Sequence, residues 1–179
     1  MKKVLLVASM LVASAGVFSF TRFADTLTVD VAKSKVEWSG SAADHYHPGV
    51  VAIKSGTVMV DNGKITGGKF TMDLTTVKST DGAGDRLDSH LKSPDFFDVT
   101  KFGEATFEIT GVSYTTDAMA DISGNLTVKG AVVPVKFPAK IRGLKDGKLF
   151  AEASFSLDPT AIGIKKYGVD VTVHLFAAK

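Results

Sequence analysis

The sequence contains no cysteine, and this absence excludes several kinds of chemistry at once. The chain can form no disulfide bridge, no thiolate nucleophile and no lipid-modified cysteine. Clusters of like charge are scarce as well: of the 21 Lys and Arg, two lie in the N-terminal segment, the remaining 19 equal the 19 Asp and Glu, and the lysines on the predicted strands are spread singly. A nucleic-acid-binding surface needs clustered basic residues, so we expect no nucleic-acid partner.

An uninterrupted apolar run that could span a bilayer is also missing. The longest apolar stretch, residues 4–20, is broken by serines and a glycine and falls short of the roughly 20 residues that a spanning helix needs. It follows Lys2 and Lys3 and leads into a small-x-small triplet, which is typical of a secretory signal peptide. We therefore predict a signal peptide at residues 1–24, cleaved between about residues 15 and 24. An uncleaved anchor is the alternative.

One domain is predicted for residues 25–179, because this length is enough for a single core and too short for two. A secreted chain without cysteine fits a Gram-negative periplasm best, with release to the outside as the alternative. The sequence leaves open whether the protein is a monomer or a homodimer.

Helical periodicity is scarce, and a different pattern takes its place. From Thr26 to Phe176, apolar side chains occupy every second position in segment after segment, and each segment is closed by Gly, Asn, Asp or Pro. This pattern predicts antiparallel strands with one apolar face. Since almost no helix is available to cover that face, the sheet must close on itself or pair with a second sheet. Eight or nine strands joined by short turns favour an up-and-down barrel over a two-sheet sandwich.

Local signals place several of the elements. The chain opens with two short predicted strands at residues 27–31 and 36–40. Ser55-Gly56 predicts a bulge or bend in the next strand, while Asp61-Asn62-Gly63 and Asp146-Gly147 predict hairpin turns.

Residues 78–104 interrupt the alternation and are too long for a plain turn. Asp85 is expected to cap a short helix, and Ser93-Pro94-Asp95 is expected to start a second one, so we predict a helical insertion at about residues 85–98. Its apolar residues would form either a lid over one mouth of the barrel or a plug that fills the core there. These residues are Leu87, Leu91, Phe96 and Phe97.

Candidates for catalysis and metal binding are weak. His45 and His47 lie on one side of an extended segment and could start a metal site, but the sequence indicates no third ligand nearby. His90 falls in the predicted helix and His174 on an outward strand face. No Gly-x-Ser-x-Gly elbow is present. We therefore predict neither catalytic residues nor a metal site, and we expect His47 to orient the backbone or a neighbouring side chain.

Three separated motifs carry a resemblance to a known family. They are HPGVVAIKSG at residues 47–56, DSHLKSPDFFDVTKFGEATFEI at 88–109 and SGNLTVKGAVVPVKFPAKI at 123–141. The chain resembles the YceI-like family of secreted lipocalin-like barrels, whose members hold polyisoprenoid lipids or quinones. The resemblance implies an all-β, eight-stranded antiparallel up-and-down barrel, a periplasmic location and a long apolar ligand in an interior channel.

The chain departs from the family at one place. Pro159 stands where the family usually has an arginine, and Ala161 stands where it has a bulky residue. A polar contact or a plug near that mouth of the channel is therefore in question, and a wider channel is the alternative.

These observations predict a secreted, non-catalytic binding protein that holds an isoprenoid lipid or quinone for carriage, storage or protection, with transient membrane contact and no cofactor besides this ligand. A hydrolase or isomerase acting on a hydrophobic substrate in the same cavity is the alternative. A purely structural envelope protein with a filled core is the third candidate. Trp38 is interpreted either as a core residue or as a ligand contact. The predicted ligand-binding residues are Trp38, Phe70, Met72, Leu74, Leu87, Leu91, Phe96, Phe97, Phe107, Ile109, Leu126, Val128, Phe137 and Phe155.

Overall fold

Antiparallel strands dominate residues 24–164 and 168–179, the part of the chain that the computed structural model describes. The strands are β1 Asp25–Val29, β2 Lys35–Ser41, β3 Tyr46–Asp61, β4 Lys64–Ser79, β5 Glu104–Thr116, β6 Met119–Val128, β7 Ala131–Lys145, β8 Lys148–Leu157 and β9 Gly168–Ala178. A helix, α1 Gly84–Lys92, and a short 3-10 helix, Pro159–Ile162, lie in two of the connections.

The sheet closes into a barrel with eight strand positions. Strands β3 to β9 follow one another as a meander, and β2 lies between β9 and β3, with Val36 opposite both Val173 and Val51. Strand β1 shares the position of β2, because it pairs with the other half of β3, where Leu27 lies opposite Val58. The predicted eight-stranded up-and-down barrel is thus confirmed, and closure removes the exposed sheet edges.

The shared strand position is interrupted between β1 and β2. The hydroxyl of Ser34 donates to the carbonyl of Phe176 (3.1 Å) and accepts from its amide (2.9 Å), while the amide of Asp30 donates to the same carbonyl (2.8 Å). These bonds satisfy backbone groups of β9 that the interruption would otherwise leave unpaired. Val31, which the sequence places in the first strand, instead lies in a turn and is 46% exposed.

One end of the barrel, here called the turn end, is closed by tight turns. Asn62 and Gly63 both have positive φ (50° and 72°), as do Asp146 and Gly147 (53° and 70°). Left-handed residues at both central positions match the twist of the flanking strands, so the two predicted hairpin turns are confirmed. The third connection at this end is the turn at residues 117–118.

The other end, here called the helix end, carries three longer connections and one tight turn. They are the loop at residues 42–45, the segment that contains α1, the turn at residues 129–130 and the 3-10 helix. Opposite ends of a meander barrel collect alternate connections, which explains why all of these meet at one mouth.

The predicted helical insertion needs two corrections. The N-cap of α1 is Ala83, and Asp85 lies inside the first turn, so the predicted capping role of Asp85 is wrong. The predicted second helix is a turn, because the carbonyl of Ser93 accepts from the amides of both Phe96 (3.0 Å) and Asp98 (2.8 Å). The helix ends before Pro94 because a proline disfavours helical geometry in the residue that precedes it.

The predicted signal peptide lies outside the described residues except for Ala24, so its cleavage and export remain predictions. Within residues 24–164 and 168–179, no helix has the length and apolar character needed to cross a bilayer.

Candidate functional site

A cavity of about 410 Å³ opens at the helix end and extends into the middle of the barrel. Its wall near the mouth includes Leu87 and Phe97 from the long insertion and Ile162 from the 3-10 helix. Deeper in the barrel it is bordered by Ile65 and Ala139. A volume of this size lies within the usual range for small-molecule sites.

The structure places every predicted ligand-binding residue on the wall of this cavity. Four of them belong to the insertion and border the cavity without filling it: Leu87, Leu91, Phe96 and Phe97. The other ten project from the strands: Trp38, Phe70, Met72, Leu74, Phe107, Ile109, Leu126, Val128, Phe137 and Phe155. Their contact with a ligand stays a prediction.

Several wall residues were not singled out from the sequence. Val169, Val171 and Val173 of β9 border the cavity and are only half-buried, although their alternation turns them inward. Leu27 at the turn end is 1% exposed. An inward side chain that stays accessible borders unfilled space, so the barrel is hollow at its helix end.

Trp38 lies flat against the wall because its neighbour on β3 is a glycine. A Cβ on Gly49 would overlap both the indole ring of Trp38 and the carbonyl oxygen of Lys78. The indole Nε1 donates to the carbonyl of Val50 (3.1 Å), which satisfies its only polar group. The ring therefore covers the backbone of β3 and leaves the centre of the lumen open.

Phe107 repeats this arrangement on β5. A Cβ on Gly124 would overlap the ring of Phe107. The ring of Phe70 covers Gly56 and Gly68 in the same way, since Cβ atoms there would lie 2.9 and 3.2 Å from it. Glycine inside a strand often marks such a close approach.

A chain of ring contacts crosses the lumen wall from β4 to β8. The ring centroids of Phe70 and Phe107 lie 6.1 Å apart, those of Phe107 and Phe137 5.6 Å, and those of Phe137 and Phe155 4.2 Å. Each pair of this kind contributes about 0.5–1.5 kcal/mol beyond the burial of its two rings. These contacts make this part of the wall apolar and restrain the positions of its rings.

Polar side chains border the cavity mainly at its mouth, and the sequence identified only part of this arrangement. His45, His47 and His90 all lie on the wall there. The Nδ1 of His47 lies 2.7 Å from a carboxylate oxygen of Asp81, so His47 is paired with a neighbouring side chain, and its orienting role stays a prediction. This hydrogen bond is the main cause that holds the pKa of Asp81 below its usual value. The sequence could have placed His47 on the wall, because it stands two residues before Gly49 and residues two apart in a strand point to the same face.

Asp158 also borders the cavity, but its carboxylate is engaged locally. It accepts hydrogen bonds from the amide (2.9 Å) and hydroxyl (2.6 Å) of Thr160, which caps the 3-10 helix and lowers the pKa of Asp158. Pro159 is buried and lines the wall, whereas Ala161 is exposed. The wall is therefore apolar at Pro159, where the resemblance leads one to expect an arginine.

Two further carboxylates of the insertion accept hydrogen bonds from nearby groups. A carboxylate oxygen of Asp88 accepts from the amide of Ser79 (2.7 Å), and one of Asp98 accepts from the hydroxyl of Thr100 (3.0 Å). Within the described ranges, no three His, Asp or Glu side chains are grouped so that they could hold a metal ion.

The fold and the cavity define a class of protein: an antiparallel barrel with an apolar interior that opens at one end. The family model of the YceI-like domain matches residues 27–177. The chain belongs to the YceI-like family.

Several curated bacterial relatives carry the name UPF0312 protein. The protein of Pseudomonas fluorescens (strain SBW25) is 30% identical over 135 residues, which cover 75% of this chain and 70% of the relative. A relative from Pseudomonas putida (strain F1) is 32% identical over 109 residues, 61% of this chain. The match spans only 56% of the length of that relative.

Solved structures share the fold at low sequence identity. BcnA of Burkholderia cenocepacia superposes with a TM-score of 0.70 at 20% identity and covers 83% of this chain and 98% of its own. A polyisoprenoid binding domain from Saccharophagus degradans, implicated in plant cell wall breakdown, gives a TM-score of 0.67 at 11% identity, with coverages of 85% and 97%.

Proposed function

We propose that this protein is a non-catalytic binding protein that holds a long apolar isoprenoid lipid or quinone inside its barrel, for carriage, storage or protection. The observation that carries the proposal is the hollow helix end. Inward apolar side chains such as Val171 remain accessible there, and a guest of matching chemistry would cover them.

The energetics favour a lipid guest that exchanges with a membrane. Each methylene group removed from water contributes about 0.8 kcal/mol, so a long chain is strongly held out of solution. A bilayer offers the same gain, and preference for the barrel must come from the fit of the wall and from contacts at the mouth. Binding and release then require no chemical step on the lipid.

The comparisons support the class of ligand. The chain belongs to the YceI-like family, and one structure with the same fold is named a polyisoprenoid binding domain. We extend that ligand class to this chain because its own cavity is lined by apolar side chains, with polar ones gathered at the mouth. The described polar residues of the wall lie mainly at the mouth, and the inward side chains of the strands are apolar, so we propose binding and not the hydrolase or isomerase alternative.

We further propose that the protein acts in the periplasm after export through its predicted signal peptide and contacts membranes transiently. Fractionation of cells that express the full chain tests this location. The expected result is a shortened protein in the periplasmic fraction, and a full-length protein in the cytoplasm would contradict it.

The binding proposal is tested by native mass spectrometry of protein purified without detergent, followed by solvent extraction. The expected result is a mass increment that an isoprenoid lipid or quinone explains. Trp38, the single tryptophan of the chain, borders the cavity and reports uptake of added prenols through its fluorescence.

A matched pair of variants controls this experiment. Ala153→Phe on β8 places a ring in the cavity and should abolish uptake, whereas Ser154→Phe adds the same ring on the exposed outer face. Protein that carries no guest and takes up no prenol would refute the proposed function.

A further inference from the structure

The mouth of the cavity contains an imidazole whose orientation is set by a carboxylate. His47 belongs to β3, lies opposite Gly40 of β2 and borders the cavity. Its Nδ1 is 2.7 Å from a carboxylate oxygen of Asp81, and both side chains are partly buried, with exposed fractions of 32% and 23%. The pair thus joins the start of β3 to the connection that follows β4.

This pairing assigns different roles to the two ring nitrogens. A carboxylate can only accept, so in the neutral ring the proton lies on Nδ1 and is donated to Asp81. The Nε2 atom of His47 is then a hydrogen-bond acceptor. Since Nδ1 is engaged by Asp81, Nε2 is the nitrogen that remains for a guest in the cavity.

The charges around the mouth limit the head group that a guest can carry. Asp81 lies behind His47, Asp44 lies 2.6 Å from His45, and Asp158 borders the cavity. Of the described residues on the cavity wall, none is a lysine or an arginine. Phosphate and diphosphate groups are recognised by such cations and repelled by carboxylates, so the described residues of the wall offer them no cationic partner.

We infer that His47 forms a head-group site in which its Nε2 accepts a hydrogen bond from an uncharged hydroxyl, as found on a prenol or a phenol-type isoprenoid. This inference rests on the proposed function, because it assumes an apolar chain in the barrel. Asp81 is a positioning residue in this site, since it acts only by holding the tautomer and orientation of the imidazole.

Three guests with the same C20 chain test the inference: geranylgeraniol, its methyl ether and its diphosphate. Binding is followed by Trp38 fluorescence in the full mature protein at neutral pH. We expect the alcohol to bind about three- to tenfold more tightly than the ether, the value of one hydrogen bond. The diphosphate should bind more weakly than the alcohol.

The decisive variant is His47→Ala, which should lower the affinity for the alcohol to that for the ether and leave the ether unaffected. His47→Phe keeps a planar ring without nitrogen and gives the same readout if the alanine variant does not fold. His174→Ala is the matched control, because His174 is similarly exposed (37%) but lies on the outer face of β9. Asp81→Asn should reduce the preference for the alcohol partially, because an amide can accept or donate and no longer imposes one tautomer.

The outcomes separate this inference from the proposed function. Equal binding of alcohol and ether to the unmodified protein, or tightest binding of the diphosphate, overturns the head-group site and leaves lipid binding intact. An unchanged preference for the alcohol in His47→Ala overturns it as well. Failure of all three guests to bind contradicts the proposed function itself.

Discussion

The turn end and the helix end of the barrel are built from the same alternating strands but differ in how their interiors are filled. At the turn end, Leu27, Ala120 and Leu149 are 1–2% exposed and belong to one continuous core. At the helix end, the inward valines of β9 stay accessible around a cavity. Alternation alone therefore does not distinguish a packed barrel from a hollow one.

Side-chain volume and glycine placement explain the difference. Inward positions at the helix end include Gly40 and Gly49, which add no volume to the lumen, and Gly49 allows Trp38 to lie against the wall. Inward positions at the turn end carry branched aliphatic side chains such as Leu27 and Ile141, which belong to one buried core. A barrel of eight strands is just wide enough for side chains to fill or for one small ligand, so these choices decide which occurs.

The largest contrast should come from removing a leucine side chain at each end. Leu27→Ala creates a void in a close-packed core and should cost about 4 kcal/mol. Leu126→Ala at the half-buried cavity wall should cost about 2 kcal/mol or less, because its side chain already borders space. Urea unfolding measures both free energies. Equal costs would show that the helix end is packed as tightly as the turn end.

A methyl group added under the ring of Trp38 should lower the free energy of unfolding nearly as much as Leu27→Ala. Gly49→Ala forces the new Cβ against the indole of Trp38 and a backbone oxygen and should cost about 3 kcal/mol. Gly40→Ala is the matched control, since its Cβ would meet nothing within 4 Å. Thermal unfolding and the near-UV signal of Trp38 check both variants. A stable Gly49→Ala protein with an unchanged signal would contradict the role assigned to Gly49.

Replacing an alanine by leucine tests the same contrast by adding volume: it should be costly to stability at the turn end and tolerated at the cavity. Ala120→Leu has no room at the turn end and should cost about 2 kcal/mol. Ala153→Leu projects into the cavity and should change stability by less than about 1 kcal/mol while weakening prenol uptake. Chemical unfolding and a Trp38 titration measure the two effects. Uptake that is unaffected by Ala153→Leu would place the guest elsewhere.

The smallest expected effect is the loss of stability of the helix end at low pH. The pKa values of Asp81 and Asp158 at the helix end lie below their ordinary values, through hydrogen bonds from His47 and Thr160 respectively. Because the folded pKa is below the unfolded value of about 3.9, this stabilisation is present above that pH and is lost as the pH falls through the folded pKa.

Trp38 fluorescence should therefore change at a higher pH than far-UV circular dichroism during acid titration. Asp81→Asn and Asp158→Asn should each remove part of this early change, and Asp117→Asn at the exposed turn end serves as the control. Coincident transitions in all four proteins would argue against early loosening of the helix end.

Much of the strand pattern was predictable, because the alternation of apolar and polar residues is a property of neighbouring positions in the sequence. Phe70, Met72 and Leu74 share a face in any β-strand, and Asn62-Gly63 favours a left-handed turn wherever it occurs. The predictions that were wrong concern the helical insertion, where more than one residue could begin the helix. Asp85 could cap a helix, but α1 already begins at Gly84, with Ala83 as its N-cap.

In the candidate site, too, local features were predictable and long-range contacts were not. The chain order indicated which side chains point inward, and all fourteen predicted residues border the cavity. The partnership of His47 with Asp81 joins residues 34 positions apart and has no local signal. The same holds for Trp38 and Gly49, whose contact depends on the register between β2 and β3.

By itself the sequence determined that this chain forms antiparallel strands with one apolar face, since backbone geometry turns every second side chain to the same side. Only the tertiary structure decided that β1 and β2 share one strand position, that the turn end is filled and that the helix end is hollow. Those features depend on which side chains meet across the barrel, and such meetings are set by closure and register, not by the order of neighbouring residues.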